Sequence, residues 1–166
     1  MKRAFTLIEI LIVVAILGIL AAIVLPTFKG HITEAREAAA RDNLRILRNA
    51  IELYAAQHNG VPPGYFMGYA GSPLFEFFWY QLVWATNAAG GYSPIEGTPG
   101  FPLGPYIPTI PSNPFNNLNT VSVLLNDDEF PAEATGEYGW VYQPWTKTIK
   151  LDWTGTDENG VAYFDY

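Results

Sequence analysis

Hydrophobic and polar positions fall into three regimes along the 166-residue chain. Between Ile10 and Leu25 every residue is apolar or glycine, and Leu7 and Ile8 extend the run towards the N-terminus, with Glu9 as the one charge inside it. As a helix rising about 1.5 Å per residue, Phe5 to Phe28 reaches about 35 Å, enough to cross a bilayer. From Lys29 the pattern changes to charged residues interleaved with alanines. Leu44, Leu47, Ile51, Tyr54 and His58 then recur at steps of three or four, the spacing of one helix face packed on a body. Asn59-Gly60 supplies a helix stop, and Pro62-Pro63 prevents continuation. The pattern predicts one helix from Phe5 to His58, about 80 Å long, divided into an apolar half over 5–28 and an amphipathic half over 29–59.

Two residues weaken this helix. Gly18 has low helix propensity, and Pro26 removes a backbone donor and crowds the preceding turn, so a kink or local melting is expected between them. After Gly60 the periodicity fades and Gly, Pro, Asn and aromatics take over, making 60–166 a globular head. Leu74–Trp84 is apolar almost all round and is read as a short helix. Gly90–Asn119 is proline-dense and predicted irregular. Strands are expected at Thr120–Leu125, Gly139–Tyr142 and Thr148–Trp153, the last two joined as a hairpin around Gln143–Lys147. A long helical spine packed on a small antiparallel β-sheet, with long irregular loops, is an α+β fold.

Charge separates the two ends. Residues 1–59 hold seven basic and five acidic side chains, whereas 60–166 hold two basic ones, Lys147 and Lys150, against eleven acidic. An acidic head cannot replace the counterions of a phosphate backbone, so direct binding of nucleic acid is not expected. Lys2 and Arg3 ahead of the apolar run place the N-terminus in the cytoplasm and the head outside. The chain has no cysteine, so no disulfide braces the head.

Glu9 is the main chemical constraint in the apolar run. An unpaired carboxylate inside a membrane segment costs about 2.5–3.5 kcal/mol even on a lenient scale. No Lys or Arg lies between Arg3 and Lys29. A free α-amino group would arise beside Glu9 only if the chain were cut just before Phe5. Catalytic chemistry has little support: His31 and His58 are read as surface or capping residues, and Asp127-Asp128-Glu129 as a solvated loop. The C-terminal run from Asp152 through Asp157 and Glu158 to Asp165 is oxygen-rich. It fits either an acidic turn or a Ca²⁺ loop in which Asp157, Glu158 and Asp165 supply ligands.

The segment Met1-Lys-Arg-Ala4-Phe5-Thr-Leu-Ile-Glu9 resembles the type IV pilin and pseudopilin signature. In that family a prepilin peptidase removes a short basic leader, here Met1–Ala4, and the new N-terminal Phe, here Phe5, is methylated. The leader is very short, and Ala4 stands where the family usually has Gly. Gly18 and Pro26 match a glycine and a proline between which the family helix unwinds on packing into a filament. The head is similar to that of the type II secretion major (G-type) pseudopilin at Leu53–Pro62, Gly104–Asn116 and Gly139–Tyr142. The resemblance implies a helical homo-oligomeric filament that supports protein export, in which Glu9 pairs with the amine of a neighbouring Phe5. It further implies prepilin peptidase, an inner-membrane assembly platform, minor pseudopilins and membrane lipid as partners, and an inner-membrane precursor with its head in the periplasm. G-type pseudopilins also carry calcium in a comparable C-terminal loop. A type IV pilin for adhesion, motility or DNA uptake is the alternative within the superfamily. A membrane-anchored carbohydrate-binding module, using Trp79, Trp84, Trp145 and Trp153, is the alternative from another class.

Overall fold

The computed structural model describes residues 6–66, 68 and 71–166, and side chains throughout these except 23–30. The expected leader Met1–Ala4 and the bond between Ala4 and Phe5 lie outside the described residues. Helix α1 spans Leu7–Gln57 and helix α2 Phe75–Val83. Five short strands follow: β1 (Ala85–Thr86), β2 (Tyr92–Ser93), β3 (Val121–Val123), β4 (Trp140–Gln143) and β5 (Thr148–Leu151), with a terminal 3₁₀ turn at Tyr163–Asp165. The chain divides into two compact units, Met1–Ala38 and Ala39–Tyr166.

In the first unit every large apolar side chain from Leu7 to Leu20 is at least half exposed, from Val13 at 50% to Leu7 at 84%. Among the described residues no helix is long and apolar enough to cross a membrane. Described side chains of the apolar run end at Ala22, and the rest of the expected span, including the side chain of Pro26, lies outside the description. The backbone is helical through Gly18 and Pro26, so the expected melting between them is absent from this single chain. A proline forfeits one helical hydrogen bond, a loss the bonds on either side can outlast.

The second unit is built on the predicted stripe. Ala40, Leu44, Leu47, Ile51 and Tyr54 are buried against Phe78 and Leu82 of α2 and against Trp140, Tyr142, Ile149 and Leu151 of the sheet. Asn59 takes a left-handed conformation (φ 57°), and the Gly60 amide bonds back to the Ala55 carbonyl at 2.8 Å, the reversed turn that closes a helix C-terminus. The main sheet has the order β3-β4-β5, with β4 and β5 antiparallel as an adjacent hairpin. β3 runs parallel to β4 and reaches it through residues 124–139, a crossover long enough to permit parallel pairing. Glycine is required just before β4. A Cβ on Gly139 would sit 2.2 Å from the Leu118 carbonyl oxygen. The proline-dense stretch is irregular as expected, apart from the small β1–β2 ladder and a bridge from Thr86 to Leu103.

Two buried polar side chains fasten these loops. Gln81 on α2 accepts from the Gly64 amide at 2.8 Å and donates to the Tyr65 and Gly90 carbonyls at 2.7 and 2.8 Å. Asp152, fully buried after β5, accepts from the amides of Thr135, Gly136 and Tyr138 at 2.7–3.0 Å and from the Thr135 hydroxyl at 2.9 Å. It thereby folds the crossover loop onto the sheet, since a carboxylate is satisfied by several converging N–H donors.

Candidate assembly site and C-terminal clamp

The N-terminus of α1 is organised by a reciprocal cap. Thr6 immediately precedes the helix, and its amide and hydroxyl donate to Glu9 Oε2 at 2.8 and 2.7 Å, while the Glu9 amide approaches Thr6 Oγ1 at 3.3 Å. This Thr-x-x-Glu arrangement answers two otherwise orphaned donors at the helix start. Thr6 is not among the residues expected at this site, although the capping-box spacing Thr6-x-x-Glu9 is visible in the chain. Both local bonds fall on Oε2, and Oε1 has no donor among the described residues. Glu9 is thus positioned as well as charged, at the start of a helix whose flanks are apolar and exposed. Of the remaining residues predicted for assembly, Gly18 lies in the helix with open space around its Cα. Ala4 and Phe5 lie outside the described residues, as does the side chain of Pro26.

At the other end of the chain the three candidate calcium ligands are separated. Asp157 Oδ2 accepts from Arg41 at 2.9 Å and from the Tyr166 hydroxyl at 3.0 Å, and Oδ1 accepts from the Asn159 and Val161 amides at 2.9 and 3.0 Å. Asp165 pairs with Lys150 at 3.1 Å. Glu158 is exposed. Among the described residues no group of three His, Cys, Asp or Glu side chains could hold a metal ion. The positive charge facing Asp157 is the Arg41 guanidinium from α1. That guanidinium also stacks on the Tyr166 ring, 4.2 Å from its centroid, and donates to the Tyr166 hydroxyl at 2.8 Å, while Arg48 donates to the Tyr166 carbonyl. Burial pushes the Asp157 carboxyl up, but the Val161 amide, the Tyr166 hydroxyl, the Asn159 amide and Arg41 together hold it below the usual carboxylate range.

The histidines have the surface and capping roles expected of them. His31 is exposed, 3.6 Å from Glu34. His58 stacks on Tyr54 at 3.7 Å, and its Nδ1 lies 2.7 Å from the Tyr54 carbonyl, which makes Nδ1–H the donor. Burial lowers the His58 pKa against the opposing pull of the Tyr54 and Asn87 backbones.

Comparison with known proteins bears directly on the N-terminal site. Residues 1–25 match the family described as the prokaryotic N-terminal methylation motif. The chain is 35% identical to the type IV major fimbrial protein FimA of Dichelobacter nodosus, over 57% of this chain and 60% of that protein. It is 38% identical to the type II secretion system core protein G of Aeromonas hydrophila, over 37% of this chain and 43% of that protein. It is 50% identical to the type IV major pilin protein PilA of Myxococcus xanthus, over 34% of this chain and 26% of that protein. The aligned regions span 60% and 43% of the lengths of the first two of these relatives, and no solved structure matches. The N-terminal part of the chain is thus similar both to type IV pilins and to core protein G of type II secretion systems.

Proposed function

We propose that this chain is a structural subunit of a type II secretion pseudopilus, cut between Ala4 and Phe5, methylated at Phe5 and polymerised through α1. One observation carries the reading: from Leu7 to Leu20 α1 is apolar on all sides, is exposed in the single chain, and holds a single carboxylate, Glu9, at its start. A helix apolar all round needs to be covered, at about 25 cal/mol per Å² of surface kept from water, and identical helices bundled in a filament core supply that cover once the subunit leaves the bilayer. Glu9 Oε1 then accepts from the amine of a neighbour's Phe5, and subunits out of register are rejected because a buried charge left unpaired is strongly penalised. Gly18 and Pro26 give the helix a place to unwind as it packs. The precursor would sit in the inner membrane with its head in the periplasm, meeting prepilin peptidase, an assembly platform and minor pseudopilins.

The pilin reading has its own support, because the match to the fimbrial protein covers more of this chain than the match to core protein G. A deletion strain separates the two. Retention of exported enzymes in the periplasm with surface fibres intact supports the pseudopilus, whereas loss of fibres with normal export supports the pilus. Mass spectrometry of assembled material should find a chain beginning at methylated Phe5. Retention of Met1 in filaments would overturn the processing step.

A further inference from the structure

Beyond the residues that assembly uses, the head carries a second aromatic cluster that its core does not absorb. Inner positions of α2, Phe78 and Leu82, are fully buried, while Phe77, Tyr80 and Trp84 project from its outer side and meet Tyr92 of β2. Tyr92 is the hub, with ring centroids 4.8 Å from Tyr80, 5.8 Å from Trp84, 6.1 Å from Phe66 and 6.3 Å from Phe77. Phe66 stacks on Phe77 at 5.2 Å and is still 42% exposed. Partly exposed aromatics grouped in this way are a mark of a binding surface, since scattered exposure would not build a contiguous patch.

Beside the hub lies a groove of about 440 Å³ lined by Phe66, Asn87, Ala89, Gly91, Tyr92 and Phe101. None of these side chains is charged. A charged ligand entering it would lose water without gaining a counter-charge, so the groove suits a neutral ligand. Asn87 adds direction. Its Oδ1 accepts from the Ala89 and Gly91 amides at 3.1 and 2.9 Å, which fixes the side-chain amide and leaves Nδ2 as an oriented donor with no partner among the described residues. Ring faces for C–H contact, a fixed amide donor and no net charge are together the requirements of a sugar, whose ring carries an apolar C–H face and hydroxyl acceptors at its edge. We propose that this groove binds a neutral oligosaccharide, with Phe66 and Tyr92 as the stacking walls and Asn87 as the hydrogen-bond donor. Of the tryptophans expected to form a platform, Trp84 adjoins this site, whereas Trp79 and Trp153 pack against the core and Trp145 lies on the β4–β5 turn.

The full chain in phosphocholine micelles, which carry no sugar headgroup, should be titrated with cellohexaose and with chitohexaose while tryptophan fluorescence is followed, Trp84 being close enough to Tyr92 to report. Saturable binding of one of these sugars is expected. Phe66→Ala should weaken it at least tenfold, and Asn87→Asp, which keeps the turn acceptor while removing the donor, should do the same. Trp145→Ala should leave it unchanged. Thermal melts within a few degrees of the parent would show that the variants remain folded. No saturable signal up to millimolar sugar overturns the proposal, as does binding indifferent to both groove substitutions. Loss of filament assembly in Phe66→Ala with no sugar binding in the parent would assign the groove to a second copy of the chain and overturn it equally.

Discussion

Between Leu7 and Leu20 the chain leaves every large apolar side chain at least half exposed, while from Ala40 to Tyr54 the same helix buries Leu44, Leu47 and Ile51 almost completely. Both segments are α-helix, so helix propensity does not separate them. The difference lies in what completes each. The amphipathic half finds its cover within its own chain, in α2 and the β-sheet, whereas the described apolar side chains of Leu7–Leu20 stay exposed, and under the proposed function their cover is lipid and then copies of the same helix. Polar groups divide likewise: Glu9 is capped by Thr6 through one oxygen, with no donor to the other among the described residues, and Asp152 and Asp157 have their bonding capacity taken up inside the head.

The largest test of this contrast is Glu9→Val. Removing the charge should leave membrane insertion intact or improved while assembly falls more than tenfold, measured as filaments recovered by shearing. Normal filament yield would mean that register does not depend on the carboxylate. Melting of the head should not change, because nothing in it depends on Glu9.

In the head the expectation reverses. Leu47→Ala should cost about 3–5 kcal/mol by leaving a cavity at a site with no exposure, and chemical denaturation of the full chain in micelles would measure it. A loss under 1 kcal/mol would show that the helix face is less closely packed than its burial indicates. Asp152→Ala should cost about 2–4 kcal/mol, since three loop amides lose their acceptor together. Asp152→Asn, which can answer some of the same donors, should recover part of that.

The smallest effect concerns the C-terminal clamp. The folded-state pKa of Asp157 is depressed, so its stabilisation is present above the ordinary carboxylate pKa, near 3.8, and is lost as pH falls below that value through the folded one. The parent melting temperature should therefore drop below about pH 4, and Asp157→Asn should show a shallower acid limb. With Arg41 as the clamp's cation, millimolar calcium and chelator should give the same melting temperature. A calcium-dependent rise, abolished in Asp157→Asn, would restore the metal loop.

Much of the head was legible because its elements are local. The steps Leu44, Leu47, Ile51 and Tyr54 announce one buried helix face, Asn59-Gly60 announces its end, and the alternating run after Thr148 announces a strand. The partners of the oxygen-rich run from Asp152 to Asp165 were not legible, for the opposite reason. Composition shows which ligands a loop has, while only the fold shows that Arg41, more than a hundred residues earlier, reaches Asp157 first. The parallel pairing of β3 with β4 and the outward aromatic face of α2 were hidden for the same cause, since each depends on which segments become neighbours.

By itself the sequence determined the apolar N-terminal run, its single carboxylate, the amphipathic helix and the place where that helix stops. Each of these is set by the order of side chains and the period of the backbone. The tertiary structure decided which polar groups meet. It turned Asp152 into a buried anchor for the 135–138 loop, gave Asp157 to an arginine and gathered Phe66, Phe77, Tyr80, Trp84 and Tyr92 on one surface. Hydrogen bonds and ring contacts act over a few ångströms in space, and distance along the chain carries no record of them.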